Sequence, residues 1–277
     1  MAEPKNIFLT GASSGIGLAA ARLLSQKGHT IWGTTRNVQK LAARPPFRPI
    51  EMRLENTESV ETAWNEALQQ AGHFDIVIQN AGAGIFGSVE EVSLDDARWQ
   101  WQVLVEGPLQ LLKLASAHLR PRRTGLIIGV SSLATEMPIP FSSHYSAGKA
   151  AFSTLLAGLS MELKPFDVHV VDLRPGDILT AFNDNLPKTM SAESPYLPWS
   201  MQAWEETAAL MKNAPAPDLI ARALDDIIDA SATPVVVRSG TFFQASLSPL
   251  GVRFMPRSWL LDSIRSYYKL TRLDGKN

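Results

Sequence analysis

Short apolar runs and stretches of helical period take turns along almost the whole chain. Residues 7–9, 29–35, 48–54, 74–78, 126–130, 168–173 and 234–237 each read as a strand, and helix-patterned segments separate most of them. A strand that must pair in parallel with the one before it needs a long crossover, and a helix supplies it. The alternation therefore predicts an α/β fold: a doubly wound parallel sheet with helices on both faces. In such sheets ligands gather beyond the carboxyl ends of the strands. With 277 residues, 45% of them hydrophobic, the chain has ample length for a buried core, and we read 1–277 as a single domain.

The strand ends are where the unusual residues sit. Ile7-Phe8-Leu9 runs into Thr10-Gly11-Ala12-Ser13-Ser14-Gly15-Ile16-Gly17, and a helical pattern through Leu18, Ala21 and Leu24 follows. Strand, glycine turn and helix is the order a dinucleotide site requires. Gly11 permits the tight turn, Gly15 lets the backbone approach a pyrophosphate, and Gly17 lets helix and strand pack closely. The helix start then offers free N–H groups and a partial positive charge to the phosphates. The Ser13 and Ser14 hydroxyls are candidates for further phosphate contacts.

At the end of the second strand stand Thr35 and Arg36, where an unmodified adenosine ribose would call for a carboxylate. A guanidinium holds a 2′-phosphate bidentately, so NADP(H) is expected over NAD(H). Glu55 and Asn56, after the third strand, are placed to reach the adenine edge, with Thr57 capping the next helix. Asn80-Ala81-Gly82 forms a small-residue turn after the fourth strand. Ser131-Ser132 ends the fifth, and Pro175-Gly176-Asp177-Ile178-Leu179-Thr180 turns off the sixth.

Between these last two lies Tyr145, with Lys149 one helical turn on, in a segment that Ser142 and Ser143 can cap. A phenol of pKa about 10 is a poor acid or base at neutral pH, and lowering it by about three units takes about 4 kcal/mol. A unit charge about 4 Å away, at an effective dielectric of about 20, supplies that much. The spacing alone is common in helices and does not identify a site.

Together and in this order, these motifs resemble the short-chain dehydrogenase/reductase family over residues 5–182, with its Rossmann-type fold. The cofactor loop at 10–17 matches nearly letter for letter, as do Asn80-Ala81-Gly82, Ser132, Tyr145 with Lys149, and the 174–180 segment. The resemblance implies hydride transfer between NAD(P)H and a carbonyl or alcohol. It implies that Tyr145 is the acid/base, that Ser132 stabilises the substrate oxygen, and that Lys149 lowers the Tyr145 pKa and binds the nicotinamide ribose. It makes Thr180 and the Ile178 backbone the seat of the carboxamide, with Pro175 and Gly176 shaping that turn. One position departs. Where the family usually carries an asparagine that serves a proton relay to the lysine, this chain has Leu104, and Gly148 stands where serine is common. Leu104 keeps a second reading open: an NADP(H)-binding sensor or regulatory protein with little turnover.

Beyond Thr180 the match thins. Residues 181–215 crowd Phe182, Leu186, Met190, Trp199 and Trp204 among prolines and read as a substrate loop or lid over an apolar pocket. Residues 241–277 form a C-terminal extension rich in aromatics and arginines. It resembles the tails of family members acting on steroid-, retinoid- or lipid-like carbonyls, and the expected substrate is a medium-sized apolar carbonyl or alcohol. The net charge of −1 carries no nucleic-acid footprint. Contact of the tail with a membrane surface is the less favoured option, and a homo-oligomer is compatible with the sequence. The absence of cysteine excludes a Cys nucleophile and disulfides, and the five histidines show no metal-ligand spacing. No signal peptide or spanning run is evident, so a soluble cytoplasmic protein is expected.

Overall fold

The computed structural model of the chain describes residues 3–39, 47–182 and 186–274. The parts of the expected lid and tail at 183–185 and 275–277 lie outside these residues. The strands are β1 (Asn6–Leu9), β2 (Thr30–Thr35), β3 (Arg48–Glu51), β4 (Ile76–Gln79), β5 (Gly125–Val130), β6 (Val168–Pro175) and β7 (Val236–Ser239). They form one sheet in the order β3-β2-β1-β4-β5-β6-β7, every pairing parallel. The order reverses between β1 and β4, which opens the crevice where a doubly wound sheet binds its ligand.

Because side chains alternate along a strand, each of the inner strands feeds two cores. Phe8, Trp32, Val77 and Ile127 point to one face. There they meet α2 (Thr57–Ala71), α4 (Gly107–Arg122) and α5 (Ser143–Leu163). Phe8, Trp64 and Phe74 pack edge-on at its centre, with ring centroids 5.1–5.4 Å apart. Ile7, Leu9, Ile31, Ile76, Ile78 and Ile128 point to the other face, against α1 (Gly15–Gln26) and α7 (Asp218–Asp229). Burial on both faces explains why these strands read as continuous apolar runs.

Several boundaries differ from the sequence reading, each for a local reason. Asn56, not Thr57, caps α2, accepting a hydrogen bond from the Ser59 N–H at 3.1 Å. The third strand stops at Glu51. Gly107-Pro108 does not interrupt its helix. Instead α3 (Leu94–Trp101) passes through a π-helical turn, Gln102–Glu106, straight into α4. Gly107 is needed there because a Cβ would lie 2.1 Å from the Leu54 carbonyl oxygen. Pro121 sits within the last turn of α4, and the helix ends at Arg122, with Arg123 as its C-cap at φ 52°. Ser142 occupies the N-cap position of α5, but its side chain makes no capping bond.

Part of the stretch read as a loop or lid is a helix, α6 (Leu197–Lys212). Its Ala203, with Trp199, Trp204 and Leu210, packs against Phe86, Phe141 and, from the C-terminal extension, Tyr268 and Leu270. The extension itself folds as a π turn at Phe243–Leu247, then α8 (Ser248–Phe254) and α9 (Arg257–Tyr267). Among the described residues no helix is long and apolar enough to cross a membrane.

Candidate active site

The glycine turn after β1 is held open by its neighbours. Gly11 (φ +70°) and Gly15 (φ +51°) both occupy the left-handed region that glycine tolerates. A Cβ on Gly17 would lie 2.2 Å from the Gly11 carbonyl oxygen and 2.7 Å from Asn80 Nδ2, so only glycine lets α1 start this close to the turn. The Thr10 hydroxyl accepts hydrogen bonds from the N–H groups of Asn80 and Ala81, both at 2.9 Å, and donates to Gln79 Oε1 at 2.8 Å. Asn80 Nδ2 in turn donates to the Thr10 carbonyl at 3.0 Å. These bonds lock the first and fourth strand ends together across the switch point. Ser14 begins α1 without using its hydroxyl as a cap. The cradle that glycine alone permits, facing a helix N-terminus, fits the pyrophosphate of a dinucleotide.

Other predicted cofactor residues surround this cradle. Thr180 faces Gly15, its Cγ2 3.2 Å from where a Cβ would be, and both border a groove of about 540 Å³ between α1 and α7. Arg36 is exposed just past β2, while Thr35 tightens the turn by accepting from the Asn37 N–H at 3.2 Å. Asn56 is committed to capping α2 through its side-chain oxygen, and Glu55 lies 3.9 Å from Arg53 in an ion pair. The structure thus gives these two residues roles within the chain, apart from the adenine contact expected of them.

Ser132, Tyr145 and Lys149 converge at the ends of β5 and α5. Ser132 lies within hydrogen-bonding reach of the Tyr145 phenol. Its hydroxyl also accepts from the Ala134 N–H at 3.1 Å, which fixes the serine at the head of a short 3-10 turn. The Lys149 ammonium donates to the Val130 carbonyl oxygen at 2.8 Å and lies 6.0 Å from the centroid of the tyrosine ring. Phe182 covers the phenol, with ring centroids 5.8 Å apart.

The electrostatics differ from the sequence expectation. Lys149 was expected to draw the Tyr145 pKa down, yet the phenol is pushed up. Burial is the main cause, the Asp177 charge adds to it, and the Ser132 hydrogen bond opposes it. Burial acts on the lysine as well, lowering it to about 8 against a smaller upward pull from Asp172.

Leu104 sits beside this lysine. It is 2% exposed and belongs to the π turn, a feature frequent at functional sites. A Cβ on Gly82 would meet Leu104 Cδ2 at 3.3 Å and Lys149 Nζ at 3.4 Å; one on Gly148 would meet Leu104 Cδ1 at 2.9 Å. The two departures from the family pattern therefore belong together: Gly148 makes the space that Leu104 fills.

Behind the site runs a polar web that the motifs did not signal. Buried Asp172 accepts from Ser131, from Ser153 at 2.6 Å and from Arg174 Nε at 2.7 Å. Arg174 also pairs with Glu136, which holds Arg238 as well. Gln244 of the C-terminal extension reaches into the turn after β6. Its Oε1 accepts from the Asp177 N–H at 3.2 Å, and its Nε2 donates to Asp177 Oδ2 at 2.6 Å. The extension thus braces the segment expected to seat the nicotinamide. No spacing in the sequence could have paired residues 177 and 244. Among the described residues no group of three or more His, Cys, Asp or Glu could hold a metal.

Known proteins resemble this chain in sequence and in fold. The family model described as short chain dehydrogenase matches residues 5–191. The chain is 28% identical over 96% of its length, and 96% of the relative's, to a 3-ketodihydrosphingosine reductase of Bacteroides thetaiotaomicron. It is 28% identical to an NADPH-dependent 1-acyldihydroxyacetone phosphate reductase of Saccharomyces cerevisiae, covering 99% of this chain and 94% of that one. A solved short-chain dehydrogenase from Streptomyces avermitilis superposes with a TM-score of 0.79 at 26% identity, covering both chains completely.

Proposed function

This chain belongs to the short-chain dehydrogenase family, oxidoreductases that interconvert carbonyls and alcohols, and we propose that it is an NADP(H)-dependent reductase of lipid-like ketones with Tyr145 as the proton donor. The observation that carries this reading is the convergence of Ser132, Tyr145 and Lys149 beside the glycine cradle of Gly11, Gly15 and Gly17. The dinucleotide, when bound, supplies the hydride. Gly11 to Gly17, with Ser13, Ser14 and Ile16, would hold its phosphates, and Arg36 its 2′-phosphate. Asn80, Ala81 and Gly82 would line its middle, and Pro175, Gly176, Ile178 and Thr180 its nicotinamide end.

The chain's own residues handle the proton. Ser132 and Tyr145 both present hydroxyls to a carbonyl oxygen and stabilise the charge that develops on it. The raised pKa of Tyr145 keeps the phenol protonated at neutral pH, as an acid for reduction must be. Lys149, lowered to about 8, is still mostly an ammonium at neutral pH and stabilises the phenolate left behind. Two features support an apolar substrate. Trp199 and Trp204 of the expected lid cluster with Phe86 and Phe141. Phe242, Phe254 and Trp259, 73%, 74% and 66% exposed, lie on the extension that braces the site.

Replacing Tyr145 with Phe tests the assignment. NADPH oxidation with long-chain ketones should fall by about a thousandfold or more, while NADPH binding, followed by nicotinamide fluorescence, stays within about twofold of wild type. Turnover near the wild-type rate would remove Tyr145 from the mechanism.

A further inference from the structure

The C-terminal extension is pinned on one side and bare on the other. Its π turn Phe243–Leu247 runs without a break into α8, so residues 243–254 form one helix. Gln244 fixes the inner side of that helix to Asp177. In α9, Leu260 is buried and Ile264 packs against the cluster that holds Phe86 and Tyr268. The outer side carries Phe243, Leu247, Leu250 and Phe254, at spacings of four, three and four residues. That rhythm sets them in one stripe along the helix. The four are 45–74% exposed, and Phe242 at one end of the stripe and Trp259 beyond the other are exposed as well. Single apolar residues on a surface are ordinary, but six large ones between positions 242 and 259 are not.

The charges beside the stripe have one sign. Residues 241–261 contain Arg253 and Arg257 and no aspartate or glutamate. Both arginines are exposed. Arg253 lies over the Phe254 ring, 5.6 Å from its centroid, and Arg257 donates to the Glu136 carbonyl oxygen at 3.4 Å. Among the described residues neither arginine forms an ion pair. A second copy joined by a twofold axis would set this face against itself, arginines toward arginines, with no carboxylate between 241 and 261 to answer them. An anionic lipid surface answers both features at once. Its acyl boundary receives the Phe, Leu and Trp side chains, and its phosphates receive the guanidinium groups. Among the described residues no helix is long and apolar enough to cross the bilayer, so the contact is with its surface.

We propose that the outer face of α8 and the start of α9 is a docking surface for an anionic lipid membrane. Phe242, Phe254 and Trp259 enter the headgroup boundary, while Arg253 and Arg257 pair with lipid phosphates. The exposure of this face makes membrane contact, the less favoured option from sequence, the favoured one. Docking of this kind goes beyond the carbonyl-reductase reading and does not depend on it.

The test is sedimentation of the full-length protein with vesicles of phosphatidylcholine alone or of phosphatidylcholine with an equal amount of phosphatidylglycerol. Wild type should partition to the anionic vesicles about tenfold or more above the neutral ones, about fivefold for each arginine. High salt should shrink that preference. Phe254→Ser combined with Trp259→Ser should lower the partition by about a hundredfold or more. Arg253→Glu should reduce the preference for anionic vesicles by about fivefold or more and leave binding to neutral ones unchanged. These side chains are exposed, so each variant should keep the thermal transition of wild type, which checks its fold. No sedimentation of wild type with either vesicle, binding that ignores phosphatidylglycerol, or binding that the double variant retains would each overturn the proposal. So would a wild-type dimer in sedimentation velocity that the double variant dissociates, in a protein that ignores vesicles, since the face would then belong to a second copy.

Discussion

The pairing of Leu104 with Gly148 can be tested quantitatively. In Gly148→Ala the new methyl would lie 2.9 Å from Leu104 Cδ1 and 3.0 Å from Leu104 Cβ. Carbon contacts are comfortable at about 3.5–4.0 Å. Leu104 cannot swing aside, because it is 2% exposed and its Cδ2 already approaches Gly82 on the far side. Overpacking of this kind costs about 1–3 kcal/mol. Glycine to alanine inside a helix returns about 1 kcal/mol. The single variant should therefore lose about 0–2 kcal/mol. Leu104→Ala alone leaves a cavity and should cost about 2–5 kcal/mol. In the double variant the clash with Leu104 Cδ1 is gone, the 3.0 Å contact with Cβ alone remains, and the added methyl fills part of the cavity. The double variant should then be about 1–2 kcal/mol more stable than the sum of the singles implies. Urea unfolding at an unchanged m-value measures this coupling. Additivity within about 0.5 kcal/mol would refute the claim that Gly148 exists to accommodate Leu104.

Arg36→Glu replaces a phosphate-binding cation by a repelling anion, so the NADPH-to-NADH ratio of kcat/KM should fall by about tenfold to a hundredfold; an unchanged ratio takes Arg36 out of the cofactor site. Lys149 has a folded pKa of about 8, below its ordinary 10.5, so between these values the unfolded chain holds more protons and this residue's contribution to stability rises with pH. The stability of wild type relative to Lys149→Met should accordingly increase from about pH 8 to pH 10 in urea titrations, and a flat or falling difference would contradict burial of the ammonium. Asp172→Asn leaves Ser131, Ser153 and Arg174 facing an amide in place of a carboxylate and should destabilise the protein by about 3–5 kcal/mol in the same assay. A loss below about 1 kcal/mol would mean that the web behind the site is not structural.

The sequence by itself determined the architecture and most of the motif positions. Parallel strands buried on both faces must be continuous apolar runs, and crossovers must be helices, so 7–9, 74–78, 126–130 and 168–173 could scarcely be anything else. Gly11, Gly15 and Gly17 are legible for the same reason: each marks a place where a side chain has no room, a local property of the turn. Boundaries were less legible. Asn56 displaced Thr57 as the cap, and the Leu94–Trp101 helix runs through Gly107-Pro108 on a π turn, where Gly107 packs too close to the Leu54 carbonyl for any side chain.

Tertiary structure alone decided the rest. The direction of the Tyr145 pKa follows from how deeply the phenol is buried and from Asp177, quantities no spacing encodes. That Gly148 answers Leu104 emerges only once two helices forty-four residues apart in the chain are packed together. The grip of Gln244 on Asp177 joins the family-like part of the chain to its divergent tail. Local sequence sets which backbone states are affordable, while burial and charge at a site are sums over everything that folds around it. That is why the motif could be read residue by residue, while the protonation behaviour of its buried side chains could not.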